Sequence, residues 1–206
     1  VKAVIFDLGG VVLESPLPVI ARHELGAGLE EGSINRQVLS AGGSGAWARL
    51  ERGETTRSTF FVEFSAELGG GITAGGLEDL FTEIEASVTV RPGAITALRA
   101  LRRTGLRVAA LTNDWDGFPA GRLVEEFDVF CESARLGTRK PEPEIYLACL
   151  SQLGVEAAGC VMLDDLGVNL KTARELGMAT IKVEALPAAL AELELVLGLP
   201  GLFSAE

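Results

Sequence analysis

The sequence is short of several things, and each shortage removes a class of function. It holds a single histidine, His23, so no His-dependent triad and no histidine metal cluster can be assembled. Its three cysteines, Cys131, Cys149 and Cys160, stand singly, without C-x-x-C spacing and in odd number. That is the pattern of reduced, buried thiols in a cytosolic protein. Basic residues are outnumbered 18 to 29, for a net charge of −11. Such a field repels a phosphate-rich polymer, so nucleic acid is not an expected partner. An anionic metabolite remains compatible if a cation and local donors reverse the field inside one pocket. No run of 18 or more apolar residues occurs, which argues against a membrane span. Residues 1–6 lead straight into a strand-like apolar run, without the charged, apolar, small-residue layout of a secretory signal. The cytoplasm is the expected location.

What is present is a chain of 206 residues, 48% hydrophobic, enough for one domain or for a core with a smaller inserted one. Short apolar runs at 3–6, 108–111, 129–131, 161–163 and 179–183 end at polar or glycine-containing turns. They mostly lack alternation, as strands buried on both faces of a parallel sheet do. Helical patterns lie between them, over 94–103, 142–153 and 169–176, each followed by a glycine. Strand–helix alternation over 91–195 predicts a doubly wound, Rossmann-like α/β domain with a parallel sheet. Residues 15–89 read differently: helical stretches at 59–68 and 77–87, glycine clusters between them, and no convincing buried strand. The expected organisation is an α/β core of residues 1–14 and 90–206 with a helical insertion at 15–89. None of the glycine clusters follows a strand and opens a helix, so none is a nucleotide cradle.

Four segments carry chemistry. Asp7, in Phe6-Asp7-Leu8-Gly9-Gly10, directly follows a buried strand, where open α/β sheets place their ligand sites. A carboxylate there can attack phosphorus or hold a metal, and taken alone it can equally cap a turn. Thr112 and Asn113 end the second strand and can donate to a phosphoryl oxygen or cap a helix. Lys140, in Arg139-Lys140-Pro141, precedes a proline read as the start of a helix, which would set an ammonium beside a helix N-terminus. Asp164 and Asp165 are adjacent carboxylates at the end of a buried strand. They repel each other, and a hard divalent cation is the common reason for such a pair.

In this order the four segments resemble the four motifs of the haloacid dehalogenase-like superfamily, and the resemblance spans nearly the whole chain. Residues 15–89 stand in the place of that superfamily's helical cap. The wording of residues 139–146 and 163–177 is similar to the branch containing the amino-terminal phosphatase domain of soluble epoxide hydrolase and the domain fused to some acyl-CoA dehydrogenases. The resemblance implies a Mg²⁺-dependent hydrolase, a phosphatase of small organic phosphates, with Asp7 forming an aspartyl-phosphate. It further implies that Asp7, the Gly9 carbonyl and Asp165 bind Mg²⁺, with Asp164 supporting. Thr112, Asn113 and Lys140 would hold the phosphoryl group, and Asn169 would assist a metal-bound water.

One position departs from that pattern. Phosphatases of the superfamily usually carry a second Asp, the general acid/base, two residues after the nucleophile, and here that position is Gly9. Two alternatives follow. A dehalogenase of the same fold needs no proton for its leaving halide, and a phosphate-binding regulatory module would keep the pocket with little turnover. Among the remaining residues, Asp114 and Asp116 are expected to be solvated loop carboxylates, His23 a surface helix residue, and Trp47, Phe60, Phe61 and Phe64 the core of the insertion.

Overall fold

In the computed structural model, residues 1–119, 121 and 123–203 are described. Five strands, β1 (Ala3–Phe6), β2 (Arg107–Thr112), β3 (Val129–Glu132), β4 (Cys160–Asp164) and β5 (Ala179–Lys182), form one sheet in the order β3-β2-β1-β4-β5. Every neighbouring pair is parallel. The three inner strands β2, β1 and β4 are apolar on both sides because both sides are covered, whereas the edge strand β5 leaves Ala179 and Lys182 exposed. Val4, Phe6, Val108, Ala110, Val161 and Leu163 pack into one cluster with residues of α6 (Ala94–Arg103) and α10 (Leu186–Leu197). Ala3, Ile5, Ala109, Leu111, Cys160 and Met162 point the other way, onto α8 (Pro143–Leu153) and α9 (Gly167–Glu175), α7 (Ser133–Leu136) being the short helix between β3 and α8. Side chains alternate across each strand, so a nearly continuous apolar run fills two cores at once. All three cysteines are buried and unbridged. No described helix is long and apolar enough to cross a membrane.

Between β1 and α6 lie five α-helices: α1 (Leu17–Gly26), α2 (Ser33–Ala41), α3 (Ala46–Glu51), α4 (Arg57–Glu67) and α5 (Ala74–Ala86). This stretch adds no strand to the sheet and gathers its own apolar cluster, in which Phe60, Phe64, Leu77, Leu80 and Phe81 are buried. The glycine-rich joints end at side-chain caps. Thr56 Oγ1 accepts from the Thr59 amide (3.3 Å) at the start of α4, and Thr73 Oγ1 from the Gly76 amide (3.1 Å) at the start of α5, each satisfying an otherwise orphaned N–H. Trp115, from the loop after β2, enters the same cluster, with its ring centroid 4.5 Å from that of Phe81.

The two chain crossings into this stretch run side by side. Leu13 and Val90 form an antiparallel bridge, the Glu14 amide donates to the Thr89 carbonyl, and the Arg91 amide donates to the Val12 carbonyl, both at 2.9 Å.

Candidate active site

β1 is the central strand, and chain order reverses on its two sides, which makes its carboxyl end the topological switch point of the sheet. Asp7 is the first residue past that end. Its amide continues the ladder to the Leu163 carbonyl (2.9 Å), so its side chain lies between the ends of β2, carrying Thr112, and β4, carrying Asp164. The chain then coils tightly: the Leu8 carbonyl accepts from the amides of Val11, Val12 and Leu13. The two glycines of this coil differ in kind. Gly10 has φ +75°, and a Cβ there would run into the Asp165 carboxylate, so both the backbone and the close approach demand glycine. Gly9 has no positive φ, and a Cβ there would meet only Pro16 Cδ at 3.9 Å, an ordinary contact. Nothing in the backbone requires Gly9.

The charged centre is compact. Lys140 Nζ lies 2.8 Å from Asp7 Oδ1 and 2.8 Å from Asp164 Oδ2, and all three residues are buried. Asp7 Oδ1 also accepts from the Leu8 amide (2.7 Å). Asp164 is fully engaged: Oδ1 accepts from the Leu166 amide (2.8 Å), and the Asn169 side-chain amide reaches both oxygens at 3.0 and 3.1 Å. Asn169 is in turn fixed by Tyr146, whose hydroxyl donates to its carbonyl (3.0 Å). Asp7, Asp164 and Asp165 each offer a carboxylate oxygen, all within 4.8 Å of one another.

Three carboxylates around one ammonium leave the site short of positive charge. Burial, together with the neighbouring carboxylates, pushes Asp7 up to about 7 even though Lys140 pulls the other way. Burial and Asp164 likewise raise Asp165. Burial works against the charged form of Lys140, but Asp164 and Asp7 outweigh it and hold the ammonium protonated well above its ordinary range. Hard oxygen donors converging with surplus negative charge are a donor set that fits a divalent cation.

Asp7, Lys140, Asp164 and Asp165 therefore meet, with Asn169 braced behind Asp164. Thr112 is buried at the end of β2, its hydroxyl 3.4 Å from the Asn113 carbonyl. The Asn113 side chain is turned to Lys140: its Oδ1 accepts from the Lys140 amide (2.8 Å) and its Nδ2 donates to the Lys140 carbonyl (2.9 Å). Two expectations change. The proline that opens α8 is Pro143, not Pro141, so Lys140 sits three residues upstream of that helix and is held by carboxylates. Asp114 is buried rather than solvated; among the described residues no side chain hydrogen-bonds either carboxylate oxygen, and burial with Glu132 nearby pushes it up to about 7 against the opposing Ala134 amide. Asp116 is exposed, as expected.

Glu51, at the end of α3, escaped the sequence reading. It is buried, pairs with Arg139, and accepts from Trp47 Nε1 (3.0 Å) and Asn113 Nδ2 (3.4 Å). Burial raises its carboxyl while Arg139 opposes the rise. Nothing local marks it, because its partner lies on a distant loop. A cleft of about 1200 Å³ opens between the helical insertion and the loops after β2 and β3, lined among others by Phe61, Asp114, Trp115 and Phe118. The carboxylate cluster does not line it.

The family model for haloacid dehalogenase-like hydrolase matches residues 1–177. The chain is 36% identical over 210 residues to acyl-CoA dehydrogenase family member 10 of Mus musculus, covering 97% of this chain and 19% of that protein. It is 33% identical over 215 residues to bifunctional epoxide hydrolase 2 of Sus scrofa, covering 96% and 39%. Against phosphoglycolate phosphatase of Rhodospirillum rubrum it is 30% identical over 203 residues, covering 87% and 78%. The chain thus spans less than two fifths of the length of the first two relatives. A HAD family enzyme from Bacteroides thetaiotaomicron, solved with magnesium and inorganic phosphate, superposes with a TM-score of 0.64 at 21% identity, covering 90% of this chain and 95% of that one. With the four motifs drawn together at the switch point of a parallel sheet, the chain belongs to the haloacid dehalogenase-like hydrolases.

Proposed function

We propose that this hydrolase is a Mg²⁺-dependent phosphatase of small organic phosphates, with Asp7 as its nucleophile and the helical insertion as its cap. The observation that carries this reading is the Lys140 ammonium bridging Asp7 and Asp164 at 2.8 Å each, beside Asp165. An ammonium set against the nucleophile opposes the negative charge that a phosphoryl group brings. A Asp7 carboxylate oxygen attacks phosphorus and the bond to the leaving oxygen breaks, giving an aspartyl-phosphate; water then returns phosphate and the free carboxylate. Lys140 and Thr112 hold the phosphoryl group, and Asn113, whose side chain grips the Lys140 backbone, keeps the lysine in place. Asp7, the Gly9 carbonyl and Asp165 would hold Mg²⁺, which when bound supplies charge neutralisation of the phosphoryl oxygens. Asp164 and Asn169 keep Lys140 and the metal-binding edge in place. The relative named for phosphoglycolate hydrolysis and the magnesium and phosphate in a neighbour of the same fold support this reading.

The test is a panel of aryl, acyl and alkyl phosphates assayed with Mg²⁺ and with chelator. Hydrolysis that needs Mg²⁺ is the expected outcome. Gly9 keeps a second reading in play, since a dehalogenase also lacks an acid at that position; halide release from a 2-haloacid in chelator would establish it instead. Tight phosphate binding with no turnover on any substrate would establish a binding module.

A further inference from the structure

The helical insertion touches the loop that carries Lys140 through two consecutive residues, and the short helix Ser133–Leu136 before that loop through a third. Glu51 pairs with Arg139, the residue before Lys140, and also accepts from the Asn113 side chain (3.4 Å). Asn113 in turn grips Lys140 by both its amide and its carbonyl. Arg52 Nη1 lies 2.9 Å from Glu142 Oε1, on the far side of Lys140. Glu142 is itself locked into the loop, its Oε2 accepting from the Thr138 hydroxyl (2.9 Å) and the Arg139 amide (3.0 Å). Gly53 then turns with φ +68° against the Ala134 carbonyl, so closely that a Cβ could not be accommodated. An acid and a base from the insertion therefore meet a base and an acid that bracket the lysine.

The charges are crossed, so a slip that brought Glu51 toward Glu142, or Arg52 toward Arg139, would be repelled. The pairs are also mostly withdrawn from water. The Arg52 and Arg139 side chains are 13% and 16% exposed and that of Glu51 10%, so their attraction is less screened than that of a surface pair.

We propose that the Glu51-Arg52-Gly53 turn positions Lys140, so that its ammonium is presented to a phosphoryl group only when the insertion is docked. Glu51 acts through Arg139 and Asn113, and Arg52 through Glu142; neither touches the reacting atoms. The proposal rests on the reading of Lys140 as a phosphoryl-binding residue, and it identifies how the insertion controls that residue.

Two measurements on the full chain test it. The first is amide exchange in the 138–142 segment, with Glu51→Ala altering the insertion and Arg139→Met, made outside it, guarding against a misfolded insertion. Exchange there is expected to rise about 10-fold in either variant while β4 and α9 keep wild-type protection. Unchanged exchange in the segment, or an equal rise throughout the sheet, overturns the proposal. The second is calorimetric affinity for inorganic phosphate with Mg²⁺. Glu51→Ala should weaken it about 10-fold in the wild-type background and leave it unchanged in a Lys140→Ala background, because the turn works through that lysine. A general structural role would lower both equally, and that result also overturns the proposal. Should wild type bind no phosphate, the phosphatase reading fails separately, and the exchange measurement alone decides whether the turn holds the loop.

Discussion

Two neighbouring glycines look alike in sequence, yet Gly10 is compelled by its φ and by Asp165, whereas Gly9 is not. Gly9 therefore accepts a Cβ, the first atom of the aspartate side chain that the resemblance leads one to expect there. Without it, a leaving alkoxide departs unassisted, and the rate should depend steeply on leaving-group acidity. Gly9→Asp should flatten that dependence and raise alkyl phosphate turnover by about 10²–10⁴-fold, the usual worth of general acid help. Rates across a leaving-group series for both proteins check this, and a shallow slope in the wild type would show that another acid already serves. Glu14 is one candidate, its carboxylate about half exposed and facing Arg91 at 3.4 Å. Asp7→Asn should remove turnover by about 10⁴-fold or more, because an amide does not attack phosphorus. An unaltered circular dichroism spectrum would separate that loss from unfolding, and undiminished hydrolysis would refute the mechanism.

Elements were legible where their signals were local. Each of the five strands was visible as a short apolar run, most clearly β1, β2 and β4, where burial on both faces leaves hardly a polar position to blur it, and α6 was visible over its whole length from its apolar stripe. α1, α2 and α3 were not singled out. α3 has only six residues, α1 and α2 each bury a single apolar side chain, Val19 and Ile34, and the stretch is held by tertiary contacts such as Glu24, which accepts from the Gly32 and Ile34 amides. The site divided in the same way. Asp7, Thr112, Lys140 and Asp164 follow strands or stand in dense motifs. Glu51 and the burial of Asp114 depend on what folds over them, which no nearby residue encodes.

The loop after β2 yields its own expectation. Asp114 is buried with no side-chain partner among the described residues and is pushed up to about 7, against about 3.9 for an unfolded chain. A raised carboxyl in the folded state contributes fully below about pH 4, and that contribution is lost as the pH climbs through 7. Asp114→Asn removes this titration, so its stability relative to wild type should improve between pH 5 and pH 8, by at most about 4 kcal/mol. Urea unfolding of both proteins across that range measures the slope. Because the amide also lacks partners, the change with pH is the test and the absolute offset is not.

For the whole molecule, the relevant quantity is the imbalance of charge around Lys140, set within a chain of net charge −11. A divalent cation that binds only the folded protein stabilises it by mass action, about 2.7 kcal/mol at a hundredfold excess over Kd. Thermal unfolding should therefore shift upward with Mg²⁺ and return with chelator. In Asp165→Ala the shift should shrink or vanish. An unaltered melting temperature in the wild type at millimolar Mg²⁺ would contradict the metal assignment.

The paired crossings at Leu13 and Val90 bear on how such a chain can diversify. The polypeptide leaves the sheet and comes back through one doorway, so to the strands everything between is equivalent to the tip of a hairpin. Closing that loop costs little more for a long excursion than for a short one. The helices beyond the doorway can lengthen, shrink or be exchanged without disturbing the register of β1 against β2 and β4. The carboxylate cluster of the sheet and the helices of the insertion thereby occupy separable stretches of one chain, joined where Glu51 and Arg52 reach back.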